Sequence, residues 1–536
     1  MIVHSGPWRR ARLTVACCAA LAAPTLTAPG AHAGAAAQDS APVVTTNDGA
    51  VRGTTAGTVD EFLGIPYAAS PVGNLRWRPP APPASWRGIR DATQFGPSCP
   101  QALTRNPFLP PGTISEDCLY LNVYTRPVSS NDQGGRPVLV WIHGGGLVQD
   151  GGRNYDGTKL AADGAVVVTI NYRLGALGFL AHPALASPPG GAAGNYGLMD
   201  QQAALRWVQR NIARFGGNPD NVTIAGQSAG GLSVLAQMVS TGARGLFQRA
   251  IVQSGAFALN QRPLAAAEAA GQTFATAVGC ADQTAACLRN APVSDLVSNF
   301  GTEIPGVVDG SVLTQPIGTA LARGQFARVP VINGITHDEE LLFVAGVGIT
   351  VSQGTNIPLA GDPKDPANYL ANIAQAVGVT DTRAAAIAAE YPLSAYPSPV
   401  VAFSLLVSDA SFACPALQVD RAVAARGVPT YAYQFNDDGA PVNILGFSLG
   451  LATHGAELPY LFDQPNTPVT LNDDQQALAA SMRTDWARFA RTGNPSSGAL
   501  PWPSFNGTRV LSLVPLHSQV TTDFAAAHHC SFWAAG

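Results

Sequence analysis

Asn221-Val222-Thr223-Ile224-Ala225-Gly226-Gln227-Ser228-Ala229-Gly230-Gly231 is the stretch that decides the fold. Asn221 to Ala225 is a short apolar, β-branched run that reads as a buried strand, and Leu232, Val234, Leu235, Met238 and Val239 recur beyond it at helical spacing. Ser228 therefore stands on a sharp turn between strand and helix. Small neighbours let the two elements approach closely and let the backbone take the strained conformation that exposes Oγ. That is the geometry a nucleophilic serine needs.

The pattern Gly-x-Ser-x-Gly is permissive in a chain with 56 glycines, and it occurs twice. The second copy, Gly446-Phe447-Ser448-Leu449-Gly450, follows Pro441-Val442-Asn443-Ile444-Leu445 and runs into Leu451-Ala452-Thr453-His454. No amphipathic helix follows it, and too little chain remains for an acid and a base to come after it in order. It reads as a loop leading to His454.

A serine hydroxyl is a poor nucleophile until a base takes its proton, and the base needs an acid to fix its tautomer. In a strand-turn-helix setting the chain order is serine, acid, histidine. Of nine histidines, five follow the serine: His337, His454, His517, His528 and His529. His454 is best placed, because Thr453-His454-Gly455-Ala456-Glu457-Leu458-Pro459-Tyr460 sets it in a loop just before a helix start. For the acid, Thr336-His337-Asp338-Glu339-Glu340 follows a buried strand and offers three carboxylates, among which spacing does not choose. Oxyanion donors are expected from Val138-Leu139-Val140-Trp141-Ile142-His143-Gly144-Gly145-Gly146, a strand entering a glycine loop, together with the N–H of Ala229. A phosphate-binding reading of those glycines lacks the Lys-Ser/Thr ending of a P-loop.

Buried-strand candidates recur at Val138 to Ile142, Ala165 to Ile170, Val222 to Ala225, Ala250 to Gln253, Pro330 to Ile335 and Thr430 to Phe435, with helical patterns such as Asp200 to Ile212 between several of them. The alternation predicts an α/β fold, a mostly parallel central sheet covered by helices on both faces. No long polar linker divides the chain, so residues 34–536 are expected to form one catalytic domain. Hydrophobic residues are 46% and charged residues 12%, which suits a large core, and a net charge of −4 without a basic run argues against nucleic acid as a partner.

Residues 1–33 read as an export signal: Arg9, Arg10 and Arg12, an apolar stretch from Leu13 to Leu26, then Ala31-His32-Ala33 as a small-x-small cleavage site. A lipoprotein reading at Cys17 or Cys18 is the weaker alternative, since Thr14 and Cys17 fit poorly where a lipobox would need them. No later stretch is long and apolar enough to span a bilayer, so stable membrane insertion is not expected. Six cysteines remain after the leader, Cys99, Cys118, Cys280, Cys287, Cys414 and Cys530. An even count in an exported chain implies disulfides, whereas neither a Cys-x-x-Cys nor a His-rich cluster supports a metal site.

Beyond these features the chain resembles the type-B carboxylesterases, a family that includes cholinesterases, a group of fungal lipases and the non-catalytic neuroligins. The resemblance covers nearly the whole mature chain. It is carried by Phe62-Leu63-Gly64-Ile65-Pro66-Tyr67-Ala68, Pro71-Val72-Gly73-Asn74-Leu75-Arg76, Ser115-Glu116-Asp117-Cys118-Leu119-Tyr120-Leu121-Asn122, Asn171-Tyr172-Arg173-Leu174-Gly175, Asn195-Tyr196-Gly197-Leu198-Met199-Asp200-Gln201, Asn211 to Asn218, and Trp486 to Pro495. It implies the α/β-hydrolase fold, Ser228 as nucleophile, Glu339 as acid, His454 as base, and Gly145, Gly146 and Ala229 as oxyanion donors. It also implies the disulfides Cys99 with Cys118, Cys280 with Cys287 and Cys414 with Cys530, and an Arg76 to Glu116 ion pair.

The chain departs from the family where Gln227 stands in place of a glutamate and Glu340 in place of a glycine. The loop between Cys99 and Cys118 holds Phe108 but no tryptophan, so a cholinesterase role is not implied, and a long interfacial lid is not supported. The expectation is a secreted serine carboxylesterase that acts on a small-molecule or polymeric ester through an acyl-enzyme and requires no metal or cofactor. A lipase or polyester hydrolase of the same fold is the alternative, and a neuroligin-like binding module the rival from another class. Phe343 to Ile349 and Ile444 to Leu451 are candidate pocket walls.

Overall fold

The computed structural model describes residues 41–102, 112–129, 133–186, 193–301, 306–352, 355–441, 443–444, 447–448, 451–464, 469–497 and 501–535. The expected leader at 1–33, with Cys17 and Cys18, and Phe108 lie outside the described residues.

Among the described residues, eleven strands form the main sheet. In chain order they are β1 (Thr54–Ala56), β2 (Val59–Pro66), β3 (Tyr120–Thr125), β4 (Arg136–Ile142), β5 (Val166–Ile170), β6 (Gly217–Gln227), β7 (Arg249–Gln253), β8 (Val331–Thr336), β9 (Thr430–Phe435), β10 (Val510–Leu513) and β11 (Gln519–Thr521). Across the sheet the order is β11-β10-β9-β8-β7-β6-β4-β5-β3-β2-β1. The run from β10 to β5 is parallel throughout, while β11 and the strands from β3 to β1 pair antiparallel. The sheet is thus mixed, with a parallel centre. The six predicted strands all lie in that centre, whose seventh strand, β10, the sequence reading leaves out; the antiparallel edges add to it, and their sequence lacks the long apolar runs of strands buried on both faces.

Side chains alternate across the sheet and feed two cores. Val138, Val140 and Ile142 of β4 join one apolar cluster with Val166, Val168, Val222 and Ile224, and Leu139 and Trp141 join another with Val167, Ala225, Ile251 and Ile332. This is the period of two that a strand imposes. Among the helices that cover the sheet, α1 (Tyr196–Asn211) and α2 (Ala229–Val239) bury most of their length. Further along, α3 (Leu341–Val347), α4 (Pro399–Ala424), α5 (Leu458–Leu461) and α6 (Asp473–Thr492) carry or pack against the later loops.

The α4 run corrects one expectation. It is 26 residues long and apolar enough to cross a membrane, but 72% of its most apolar stretch is buried inside the protein. It is a core helix with a π turn at Asp409–Ala413. Asp409 in that turn is buried and accepts from His528 Nδ1 at 2.5 Å and from the Tyr391 hydroxyl at 2.7 Å.

Three disulfides close, Cys99–Cys118, Cys280–Cys287 and Cys414–Cys530, as the resemblance implied. Arg76 grips Glu116 with two hydrogen bonds of 2.7 Å.

Candidate active site

The sheet order creates the site. From β4 the chain steps to β5 on one side, then returns across to β6 on the other, so the segments leaving the carboxyl ends of β4 and β6 part there and open a crevice. One side of that crevice is the glycine loop and the other is Ser228.

Ser228 follows the last residue of β6 and caps α2 with φ 57° and ψ −127°, a backbone region that costs a non-glycine residue roughly 1–3 kcal/mol. The strain is held by packing. The Ser228 N–H donates to Gln253 O at 2.8 Å, and Leu232 N–H donates to Ser228 O at 2.9 Å. A Cβ on Gly230 would come within 2.0 Å of Ile142 O, so only glycine lets α2 approach β4 this closely. Ser228 is half-buried, and Ala229, first residue of α2, is fully buried.

The glycine loop turns through four left-handed residues, Gly145 (φ 80°), Gly146 (φ 64°), Leu147 (φ 60°) and Asp150 (φ 87°). Two of these are not glycine, and fixed partners hold them. Asp150, 1% exposed, accepts from Gly151 N, Asn154 Nδ2 and the Tyr155 hydroxyl, each at 2.7 Å. The Tyr172 hydroxyl donates to His143 O at 2.8 Å, and its ring stacks on that of His143 at 4.3 Å. Gly145 and Gly146 are half-buried, and among the described residues nothing accepts from their N–H groups.

The three candidate carboxylates separate by what they touch. Glu339, completely buried, accepts from His454 Nδ1 at 2.5 Å through one oxygen and from Thr336 N–H at 2.9 Å through the other. Asp338 lies beside His337 Nδ1 at 3.1 Å. Glu340 turns the other way and accepts from Thr350 Oγ1 and Val351 N–H. Burial pushes the Glu340 carboxyl up to about 8, reinforced by the neighbouring Glu339 and only partly offset by those two donors.

His454 sits where the sequence sets it, ahead of α5. Its loop is pinned to the acid loop by Asp338 N–H donating to Ala452 O and by Leu342 N–H donating to Thr453 Oγ1, both at 2.9 Å. Phe343 and Phe412 pack on the ring at 5.1 and 5.4 Å between centroids. Of the candidate pocket walls, Phe343 is therefore at the site; half of Ile444 to Leu451 (445–446 and 449–450) lies outside the described residues. Ser448 lies in a short strand, Phe447–Ser448, and the next helix among the described residues is α5.

Two residues at the site went unassigned in the sequence. Glu457, three positions beyond His454, is fully buried and accepts from Gln253 Nε2 at 3.1 Å. Burial pushes its carboxyl up to about 7, with Glu339 adding to the rise. Gln253 also takes the Ser228 N–H and accepts from Trp486 Nε1 at 3.2 Å, so it ties the serine turn to α6. Both lie in stretches read for other purposes, and no spacing rule links positions 253 and 457.

A profile for the carboxylesterase family matches residues 40–533. The chain belongs to the carboxylesterase family. This carboxylesterase is 36% identical over 525 residues to cocaine esterase of Homo sapiens, with 92% of each chain covered. It is 36% identical over 486 residues to fumonisin B1 esterase of Sphingopyxis macrogoltabida, covering 86% of this chain and 84% of that one. To para-nitrobenzyl esterase of Bacillus subtilis (strain 168) it is 34% identical over 506 residues, covering 90% and 96%. The carboxylesterase is therefore a serine hydrolase of carboxylic esters with the α/β-hydrolase fold. Its three disulfides fit an oxidising compartment.

Proposed function

We propose that Ser228 is the nucleophile of this carboxylesterase, His454 its general base and Glu339 the acid that orients the base. The observation that carries the reading is the 2.5 Å contact between His454 Nδ1 and the buried Glu339, on a loop brought against the serine turn. Ser228 Oγ attacks the ester carbonyl carbon while its proton passes to His454 Nε2. The carbonyl oxygen becomes an oxyanion received by the N–H groups of Gly145, Gly146 and Ala229. Collapse breaks the bond to the alcohol, which leaves with the proton from His454; water, activated by the same ring, then adds to the acyl-enzyme and releases the acid.

Residues 34–536 are the mature catalytic chain in this reading, exported behind the leader at 1–33. The leader's charge and apolar pattern and the three disulfides support export. Relatives named for cocaine, fumonisin B1 and para-nitrobenzyl esters make small-molecule esters the class to screen first.

The experiment is an ester panel, from short p-nitrophenyl acyl chains through triglycerides to aromatic diesters, on wild type, Ser228→Ala and Ser448→Ala. Loss of turnover in Ser228→Ala with retention in Ser448→Ala is the expected pattern, and the reverse pattern would move the nucleophile to the second motif.

A further inference from the structure

Gln227 is not a member of the triad, yet its side chain meets the ring on which the triad turns. Its Nε2 lies 3.2 Å from His454 Nε2, while His454 Nδ1 is engaged by Glu339. A carboxylate only accepts, so Nδ1 carries the ring proton and Nε2 presents a lone pair. One of the two facing nitrogens must donate, and that is the amide. Gln227 thus donates, in the resting enzyme, to the nitrogen that has to receive the Ser228 proton, and this bond must give way when the serine hydroxyl takes that single lone pair.

The amide lies between two loops: its Nε2 is 3.8 Å from where a Cβ on Gly455 would stand, and its Oε1 is 3.5 Å from where a Cβ on Gly144 would stand. The side chain is 4% exposed. Around the ring the ionisable groups are Glu339 at Nδ1 and Glu457 from the following turn. Glu339 in turn raises the carboxyl of Glu340 and the hydroxyl of Tyr433, and Asp338 pairs with His337. Phe343 of α3 and Phe412 of α4 cover the remaining faces.

We propose that Gln227 is a positioning residue whose neutral amide aligns His454 Nε2 in its unprotonated form, and that its lack of charge sets the acid limb of the pH–rate profile. The proposal rests on Ser228, Glu339 and His454 being the triad. Once the serine proton arrives, Nε2 becomes a donor, and half a turn of the carboxamide brings Oε1 to accept from it. A carboxamide serves both protonation states of the ring. An ionised carboxylate serves only the charged one, and would also set negative charge beside the loop where the oxyanion forms.

The test measures kcat and KM for p-nitrophenyl butyrate against pH in wild type, Gln227→Glu, Gln227→Met and Ser228→Ala. Gln227→Glu is expected to move the acid limb of kcat/KM upward by about one to three pH units, the effect of an opposite charge brought within hydrogen-bonding range. Gln227→Met removes the donor without adding charge, and should lower kcat about tenfold at constant KM because the base is no longer held in line. Coincident acid limbs in wild type and Gln227→Glu overturn the proposal, as does wild-type kcat in Gln227→Met. Proton NMR of the ring N–H between His454 and Glu339 gives a readout that does not need the glutamate variant. Faster solvent exchange in Gln227→Met is expected, and an unchanged rate counts against alignment by the amide. Full activity in Ser228→Ala would instead remove the triad reading itself.

Discussion

At the scale of single residues, Ser228 and His454 are each marked out by their own neighbours. Ser228 has a strand before it and a helix after it, and His454 is followed by a helix start. The acid was not marked in this way, since Asp338, Glu339 and Glu340 are consecutive and chemically alike. Which of them faces His454 depends on how the chain leaves β8, and only the resemblance preferred Glu339. The geometry separates them: Glu339 meets the ring at 2.5 Å, Asp338 sits beside His337 and Glu340 binds Thr350 and Val351. Glu339→Gln is accordingly expected to lower kcat by about 10⁴-fold, the loss seen when a buried acid no longer fixes its histidine tautomer. Asp338→Asn should keep kcat within about tenfold of wild type, because that side chain orients no reacting group. Steady-state kinetics of the two variants side by side decide the matter, and an equal loss in both would unseat Glu339.

At the scale of elements, the decisive contact is between the serine turn and the strand beside it. Gly230 lies against Ile142 O so closely that a methyl group has no space. Gly230→Ala is expected to destabilise the protein by about 3 kcal/mol or more, since backbone rather than a pliant side chain must move. Urea unfolding of the variant checks this, and an unchanged midpoint would mean that α2 can shift away from β4. The glycine loop shows why part of the site escapes sequence reading. Its three consecutive glycines are visible, but the left-handed Leu147 and Asp150 are not, and neither are the Asp150 and Tyr172 contacts that hold the loop. The α4 helix makes the complementary point. By composition it could span a membrane, and only its packed position identifies it as core.

At the scale of the molecule, buried carboxyls give stability a pH dependence. Burial pushes Glu340 and Asp420 up to about 8 and Glu457 up to about 7. Unfolded carboxyls release their protons near pH 4 to 4.5, whereas these folded ones keep theirs until neutrality or above. The folded chain therefore holds more protons across that window, and stability falls as pH rises through it, by up to about 1.4 kcal/mol per pH unit for each group. Glu340→Gln is expected to flatten the fall, with a melting temperature closer to wild type at pH 5 and relatively higher at pH 8; parallel pH profiles for the two proteins would remove Glu340 from the effect. The disulfides differ in reach, 116 residues for Cys414–Cys530 against 7 for Cys280–Cys287. In the chain-entropy account these are worth about 5 and about 2 kcal/mol, so paired serine replacement at 414 and 530 should lower the unfolding midpoint more than at 280 and 287. By itself the sequence determined six of the seven parallel strands, the serine turn, the late histidine and the chemistry they imply, because periodicity, turn residues and chain order are local properties. The tertiary structure decided which carboxylate meets the histidine, what braces the glycine loop, and that Gln227 faces His454. Those contacts join positions as far apart as 227 and 454, and are set by how the sheet's strands are ordered and how the loops leaving them cross.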